Sequence, residues 1–193
     1  MKRLWIILVM FVTFAGAGNA YATLMTLIVQ DFEGIPDTYL RYGGNQNLNG
    51  YLPGLFFGPD VKVLDRMRYS YNYNGYPPHS GDAVIGTFTT DYIKVDFVGL
   101  PSNPDYVQAW YTSTDTFYME AYDTFDNLVD WTSGPSDYGY SLGISVSGQN
   151  IAYVKFHNSG EYFSIDDLAY TPEPATLSLL GLGSLALFRK RRT

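Results

Sequence analysis

Tyr92-Ile93-Lys94-Val95-Asp96-Phe97-Val98 alternates apolar and charged side chains. The apolar Ile93, Val95 and Phe97 share one face of an extended chain, and the two charged residues between them share the other, because successive side chains of a strand point to opposite faces. The stretch therefore predicts a β-strand with one face buried and one face in water.

Eight further segments show strand character, and none shows helical periodicity. Turns rich in Gly, Pro, Asn and Ser separate them, and many short strands at nearly regular spacing are typical of an antiparallel sandwich. The sequence thus predicts an all-β, jelly-roll-like domain. The eight segments are Met25 to Phe32, Val61 to Leu64, Ala83 to Thr89, Tyr106 to Thr112, Thr116 to Tyr122, Tyr140 to Val146, Ile151 to His157 and Glu161 to Tyr170.

The amino-terminal end has the composition of a secretory signal. Lys2 and Arg3 precede an apolar stretch from Leu4 to Phe14, and Ala20-Tyr21-Ala22 forms an A-x-A cleavage site. We predict a signal helix in residues 1–22 that is cleaved after Ala22. The alternative is an uncleaved anchor, but the stretch is short for one.

The carboxyl-terminal end has three parts in a fixed order. Pro172-Glu173-Pro174 precedes an apolar run from Ala175 to Phe188, and the basic cluster Arg189-Lys190-Arg191-Arg192 follows. A helix of that run measures roughly 21 Å against a hydrocarbon core of ~30 Å, so we predict a short transmembrane helix with its basic end in the cytoplasm. The alternative, an amphipathic helix closing the domain, conflicts with leucines on every face.

This tripartite tail, residues 172–193, resembles the PEP-CTERM sorting signal of Gram-negative bacteria. The resemblance implies an exported protein, a precursor anchored transiently in the inner membrane, and processing by an exosortase that recognises Pro172, Glu173 and Pro174. The product would then lie at the cell surface or outside the cell. Between the two targeting segments, residues 23–171 form one domain.

The domain's composition limits its partners. It holds eighteen acidic and six basic residues, a net charge of −12, and the chain has no cysteine. Such a charge argues against nucleic acid and anionic lipid, and it favours cations or neutral glycans. Without disulfides, packing or a metal must stabilise the domain.

Two short acidic motifs mark the ends of the domain. Asp31-Phe32-Glu33 and Ile165-Asp166-Asp167-Leu168 resemble the paired terminal strands of carbohydrate-binding jelly rolls. That resemblance implies a structural Ca²⁺ at Glu33 and Asp167, with Asp31 and Asp166 as neighbours; carboxylates are ligands that Ca²⁺ prefers. Strand alternation puts Asp166 and Asp167 on opposite faces unless a bulge intervenes. The alternative is a solvated acidic rim.

A tyrosine-rich loop from Tyr69 to Asp82 offers flat rings, amides and a histidine. These residue types recognise sugars by stacking and by hydroxyl contacts. The alternative is that the rings pack the core. The candidate ligand-binding residues are Tyr71, Tyr73, Tyr76, His79, Trp110 and Trp131.

Catalytic motifs lack their required context. Gly139-Tyr140-Ser141-Leu142-Gly143 spells a nucleophile elbow, but a predicted strand, not a helix, follows it. His79 beside Ser80 and Asp82 is local adjacency without triad geometry. We therefore expect an exported, non-catalytic surface or matrix protein associated with exopolysaccharide. A structural or protein-binding matrix component is the alternative, and a glycan hydrolase ranks behind it.

Overall fold

The computed structural model describes residues 7–13, 22–33, 35, 51–58, 61–65, 75–87, 91–98, 100, 102–160 and 162–171. Several predicted features lie outside these residues: Ala20 of the cleavage site, Tyr71 and Tyr73 of the loop, and the whole sorting segment 172–193 with its motif, apolar helix and basic cluster.

The described residues form twelve strands and no α-helix. In chain order they are β1 (Ile7–Thr13), β2 (Ala22–Gln30), β3 (Leu55–Phe57), β4 (Val61–Asp65), β5 (Ala83–Thr87), β6 (Tyr92–Phe97), β7 (Tyr106–Ser113), β8 (Phe117–Tyr122), β9 (Leu128–Gly134), β10 (Leu142–Ser147), β11 (Tyr153–Asn158) and β12 (Phe163–Tyr170).

Two antiparallel sheets pack face to face. The first holds β1, β2, β4, β5, β7, β10 and β12, and the second has the order β3-β6-β11-β8-β9. Strand β6, the stretch quoted first, alternates as predicted: Ile93, Val95 and Phe97 are buried, and Lys94 and Asp96 are half-buried. The all-β sandwich is confirmed.

The last strand organises the first sheet. One edge of β12 pairs with β7, while its other edge pairs with β5 in its first half and with β2 in its second half. The first and last strands of the predicted domain are therefore neighbours, as expected. The register with β7 shifts between Asp166 and Ala169, and Asp167 has a φ of 44°. This bulge lets one strand serve two partners.

Aromatic rings fill the space between the sheets. Phe117 of β8 stacks on Tyr111 of β7 with ring centroids 4.2 Å apart, and Phe163 meets Phe117 edge-on at 5.2 Å. These contacts join the two sheets at the end of the sandwich where the β7–β8 turn lies. Since the chain has no disulfide, this packing holds the loops of that end in place.

The amino-terminal segment differs from the predicted helix. Ile7–Thr13 forms strand β1, which pairs along its whole length with residues 22–28 of β2. The physical reason is that an apolar run outside a bilayer needs partners for its backbone groups, and its β-branched residues suit a sheet edge. Cleavage after Ala22, the first residue of β2, stays a prediction. No helix in the described part of the chain has the length and apolar character to cross a membrane.

Candidate functional site at the loop end of the sandwich

The first acidic motif holds the start of β5. Asp31 Oδ1 accepts the Glu33 N–H at 3.1 Å, and Glu33 Oε1 accepts the N–H groups of Asp82 at 2.7 Å and Ala83 at 2.8 Å. Gly81, which directly precedes these two donors, has a φ of 60°, and a side chain at this position would collide with the Glu33 carboxylate. Glycine is required at this position for the carboxylate to reach both donors.

The second acidic motif holds His79 and Ser80, which precede Gly81 in the same loop. Asp166 Oδ2 accepts the Ser80 N–H at 2.9 Å, and Asp167 accepts the Ser80 hydroxyl at 2.9 Å and the His79 Nδ1–H at 2.6 Å. Both carboxylates reach one loop because the bulge interrupts the alternation of β12. The bulge that the sequence left open is therefore present.

The four acidic side chains do not converge on one point. They divide along the segment from His79 to Ala83, where N–H and O–H donors satisfy Glu33, Asp166 and Asp167. Among the described residues, no three His, Asp or Glu side chains group as metal ligands. Hydrogen bonds thus join the acidic motifs to this segment, a structural role that the sequence analysis gave to Ca²⁺. The calcium site stays a prediction.

Asp166 is an unusual acid. Its side chain is buried, with the residue 2% exposed, and burial raises its pKa to about 7 even though backbone N–H donors favour the charged form. The neighbouring Asp167 carboxylate raises the pKa further. The loop is therefore held partly by a carboxyl group that takes up a proton near neutral pH.

Trp110 joins the loop to the sheet. The His79 ring stacks on the Trp110 indole with centroids 3.6 Å apart and an interplanar angle of 9°. Because His79 Nδ1 is bonded to Asp167, Nε2 is the ring nitrogen left for a further hydrogen bond. The pair presents a flat aromatic surface with a polar atom at its edge.

Tyrosines from three neighbouring loops gather beside this pair. Tyr76 meets Tyr138 edge-on at 5.5 Å, and the Tyr138 ring lies so close to Gly75 that a side chain there would collide with it. Tyr140 is 73% exposed, and Tyr138 and Tyr162 are also exposed. We call Tyr76, Tyr138, Tyr140 and Tyr162 the tyrosine end.

Backbone contacts fix these loops to one another. The Thr112 hydroxyl lies within hydrogen-bonding distance of the carbonyl oxygens of Pro77 (3.2 Å) and Tyr140 (3.0 Å). Gly139 N–H donates to the Gly75 carbonyl at 2.9 Å, and Tyr111 donates its hydroxyl to the Pro135 carbonyl at 2.9 Å. The exposed rings therefore stand on a framework that is already organised, which lowers the entropy lost on binding a ligand.

A groove of about 550 Å³ adjoins the Trp110 ring. Strands β7 and β10 and the end of β9 line it with aromatic, amide, hydroxyl and backbone groups. Its lining includes Tyr106, Gln108, Trp110, Gly143, Ser145 and Pro135. Rings beside uncharged hydrogen-bonding groups are what a neutral sugar chain requires.

The structure brings three predicted ligand residues together and separates one. Tyr76, His79 and Trp110 lie at the loop end, whereas Trp131 is on β9 of the second sheet. The sequence analysis did not select Tyr140 or Tyr162. The sequence feature that could have indicated these two residues is a tyrosine next to turn residues.

Ser141 lies directly before strand β10. The sequence expected a strand after this serine, where a nucleophile elbow would have a helix.

The tail matches a known sorting element. A model described as the PEP-CTERM protein-sorting motif matches residues 171–192. The motif indicates an exported protein, anchored transiently in the membrane before processing by an exosortase, a membrane protease. A search of curated proteins finds no match.

Solved structures of similar shape are β-sandwich domains. The K1 cleaved adhesin domain of Lys-gingipain from Porphyromonas gingivalis W83 is 14% identical, with a TM-score of 0.45 over 77% of this chain and 99% of that chain. A DUF4465 family protein from Bacteroides caccae is 11% identical, with a TM-score of 0.43 over 84% and 93%. TmCBM61, in complex with β-1,4-galactotriose, is 11% identical, with a TM-score of 0.33 over 63% and 86%. With TM-scores below 0.5, these similarities carry no argument about function.

Asp166→Asn should flatten the pH dependence of stability between pH 3.8 and about 7. In this range the folded protein holds a proton on Asp166 that the unfolded chain has released. Asp166 therefore contributes a fall in the free energy of unfolding as the pH rises, of at most about 1.4 kcal/mol per pH unit for one proton. Urea unfolding in EDTA at a series of pH values measures this slope.

Asp123→Asn is the control for this measurement. Hydrogen bonds from Asn127 lower the pKa of Asp123, so this group titrates below the same window. The control should keep the wild-type slope. Equal slopes for the wild type and Asp166→Asn would contradict the burial argument.

The calcium prediction is tested by thermal unfolding with Ca²⁺ and with EDTA. A bound Ca²⁺ stabilises the folded state by mass action, so the midpoint should rise with Ca²⁺ concentration, and Glu33→Gln should weaken the response. Mg²⁺ at the same concentration controls for ionic strength. A midpoint that is the same in Ca²⁺ and EDTA removes the calcium site.

Proposed function

We propose that the mature domain is a non-catalytic glycan-binding module that holds exopolysaccharide at the cell surface or in the extracellular matrix. The observation that carries the proposal is the tyrosine end. Exposed rings from several loops stand on loops that hydrogen bonds already fasten, and Trp110, on which His79 stacks, lines the groove. Exposed aromatic groups clustered at one place are typical of ligand-binding surfaces.

The chemistry of the surface suits a neutral sugar chain. The C–H faces of sugar rings pack on tyrosine and tryptophan rings, while hydroxyl groups, which both donate and accept, pair with amides, hydroxyls and His79 Nε2. The loop end needs no cation for this binding. A domain with a net charge of −12 repels polyanions at long range but does not repel a neutral polymer.

The same contacts support a binding role over a catalytic one. Ser80 donates its hydroxyl to Asp167 Oδ1, and His79 Nδ1 is bonded to the other oxygen of the same carboxylate, so the serine hydroxyl donates to the acid and not to the histidine, and the three groups do not form a relay. Asp166 is buried beneath the loop and bonded to backbone donors. These carboxyl groups serve to position the loop.

The tail supplies the delivery part of the proposal. We infer that the signal peptide is removed after Ala22 and that the exosortase acts near Pro172, Glu173 and Pro174. The two prolines keep the backbone extended and unpaired, a form that a protease can bind. The processed domain then meets polysaccharide outside the inner membrane.

Tyr140→Ala is expected to weaken binding to a neutral extracellular polysaccharide about tenfold, a change of roughly 1.4 kcal/mol, because a stacking surface is lost. Isothermal titration calorimetry or affinity electrophoresis with the host's own polymer, using the exported protein, measures the effect. Trp110→Ala should weaken binding further, since it also removes the support of His79.

Phe125→Ala is the matched control. Phe125 is 84% exposed in the β8–β9 turn, at the opposite end of β8 from the tyrosine end. Its removal should leave affinity unchanged. The proposal fails if the wild type shows no binding at millimolar sugar, or if Tyr140→Ala and Phe125→Ala bind alike.

Replacing Pro172, Glu173 and Pro174 by alanine should leave a full-length precursor in the membrane fraction, because the processing enzyme loses its recognition motif. Ser178→Ala, within the apolar run, keeps the motif and should be processed normally. Fractionation followed by intact mass measurement gives the result. Normal maturation of the triple variant would contradict the sorting role of the motif.

A further inference from the structure

The outer face of the second sheet carries aromatic and charged side chains in cross-strand rows. One row, in strand order, is Tyr92, His157 and Tyr118; the next is Lys94, Lys155, Glu120 and Trp131; the third is Phe56, Asp96, Tyr153 and Tyr122. We call this surface the ladder face. The loop end described above belongs to other residues, so the ladder face is a separate surface.

Most polar groups of the ladder face have partners within it. Lys94 Nζ lies 2.7 Å from Asp96 Oδ1, and Glu120 Oε2 accepts the Tyr122 hydroxyl at 2.7 Å. His157 Nε2 is 3.6 Å from the other Glu120 oxygen. Two acids and one of the two lysines are thereby engaged.

Lys155 differs from these groups. Its Nζ lies 4.8 Å from the centroid of the Tyr122 ring and 5.7 Å from those of Tyr92 and Tyr153. No salt bridge or hydrogen bond joins this ammonium to any residue in the described part of the chain, although Glu120 is its cross-strand neighbour. Three rings attract the cation while its N–H donors have no protein acceptor.

The position of Lys155 is unfavourable for the stability of the sheet. Lys94 and Lys155 are directly paired across β6 and β11, and like charges directly opposite each other destabilise a sheet. Lys94 forms a salt bridge with Asp96, whereas Lys155 forms none with any residue that the structure describes. The unpaired positive charge therefore lies at the centre of the face, between strands β6 and β8.

Exposed rings frame this charge. Tyr92 is 46% exposed on one side and Trp131 is 58% exposed on the other, two strands from Lys155. Adjacent strands are about 4.8 Å apart, so Lys155 and Trp131 are separated by about 10 Å along the row. A ligand that contacts both Lys155 and Trp131 therefore crosses Glu120, whose carboxylate accepts the Tyr122 hydroxyl.

We infer that the ladder face is a second glycan-binding surface at which Lys155 binds the carboxylate of an acidic sugar residue. The inference rests on the proposed function, since it assumes that the exported domain meets polysaccharide. An ammonium with free N–H donors forms a charge-assisted hydrogen bond to a carboxylate, and the flanking rings stack on the sugar. The charge complements the ligand, and the rings select a sugar over a simple anion.

The net charge of the whole domain limits which acidic polysaccharides can bind. At −12 the domain repels a chain with an acid on every sugar, and screening acts over about 8 Å at physiological ionic strength. A polymer in which acidic sugars are spaced by neutral ones meets Lys155 with less of this repulsion. The ladder face would then add charge selectivity to the neutral recognition at the loop end.

The test compares a glucuronic-acid-containing heteropolysaccharide with the same polymer after reduction of its carboxyl groups. We expect the exported wild-type protein to bind the acidic form about tenfold more tightly, and Lys155→Gln to lose that preference, a change of roughly 1.4 kcal/mol. Lys155→Arg keeps the charge and should retain it. Lys62→Gln, which removes the same charge from β4 of the first sheet, should also retain it.

The outcomes separate the two proposals. Equal affinity of the wild type for both polymers, or an equal loss of preference in Lys155→Gln and Lys62→Gln, overturns the inference and leaves the proposed function intact. Binding to neither polymer contradicts the proposed function and the inference with it. Capture of an acidic protein at the ladder face, with no effect of either polymer, also overturns the inference. Thermal unfolding of each variant confirms that the fold is retained.

Discussion

The hydrogen bonds between the bulge of β12 and the loop at His79 and Ser80 are the constraint on which the functional surface depends. A regular strand points successive carboxyl groups to opposite faces, so only the bulge allows Asp166 and Asp167 to hold the same loop. The loop in turn places His79 on Trp110 and brings Gly75 under Tyr138. A change in β12 is thereby a change in the shape of the loop end, although β12 contributes no exposed ring of its own.

The domain holds its loops in place without disulfide bonds. Phe117 and Tyr111 join the sheets near the loop end, and carboxylates accept backbone N–H groups where a metal was expected. The arrangement places acids under the loop and rings on top of it. Several of the acidic side chains accept hydrogen bonds from the loop instead of facing the ligand surface. The loop end is therefore available for uncharged ligands.

Tyrosines have three roles in this fold. Tyr111 is buried in the core and Tyr140 is exposed at the loop end, while Tyr122 and Tyr153 stack on the ladder face at 4.8 Å beside Lys155. Sequence reasoning proposed a ligand-binding role for the tyrosines of one loop and left core packing open as the alternative. A tyrosine's role depends on which face its strand presents and which strand lies beside it, and neither is a local property.

The sequence alone predicted nine of the twelve strands and the sorting tail, because alternation, turn chemistry and a linear motif are local properties of the chain. It did not predict β1, β3 or β9, and the pairing of the first and last strands came from a resemblance. It also selected Tyr76, His79 and Trp110 as candidates, and the structure places them at one end of the sandwich. Only the tertiary structure decided that Asp166 and Asp167 share one loop, that Trp131 lies on the other sheet, and that three rings lie near Lys155 while its neighbour Glu120 bonds to Tyr122. Those facts depend on a bulge and on cross-strand register, which arise when distant segments pair. The apolar run at Ile7–Thr13 shows the same dependence, since the partner available to its backbone decides between helix and strand.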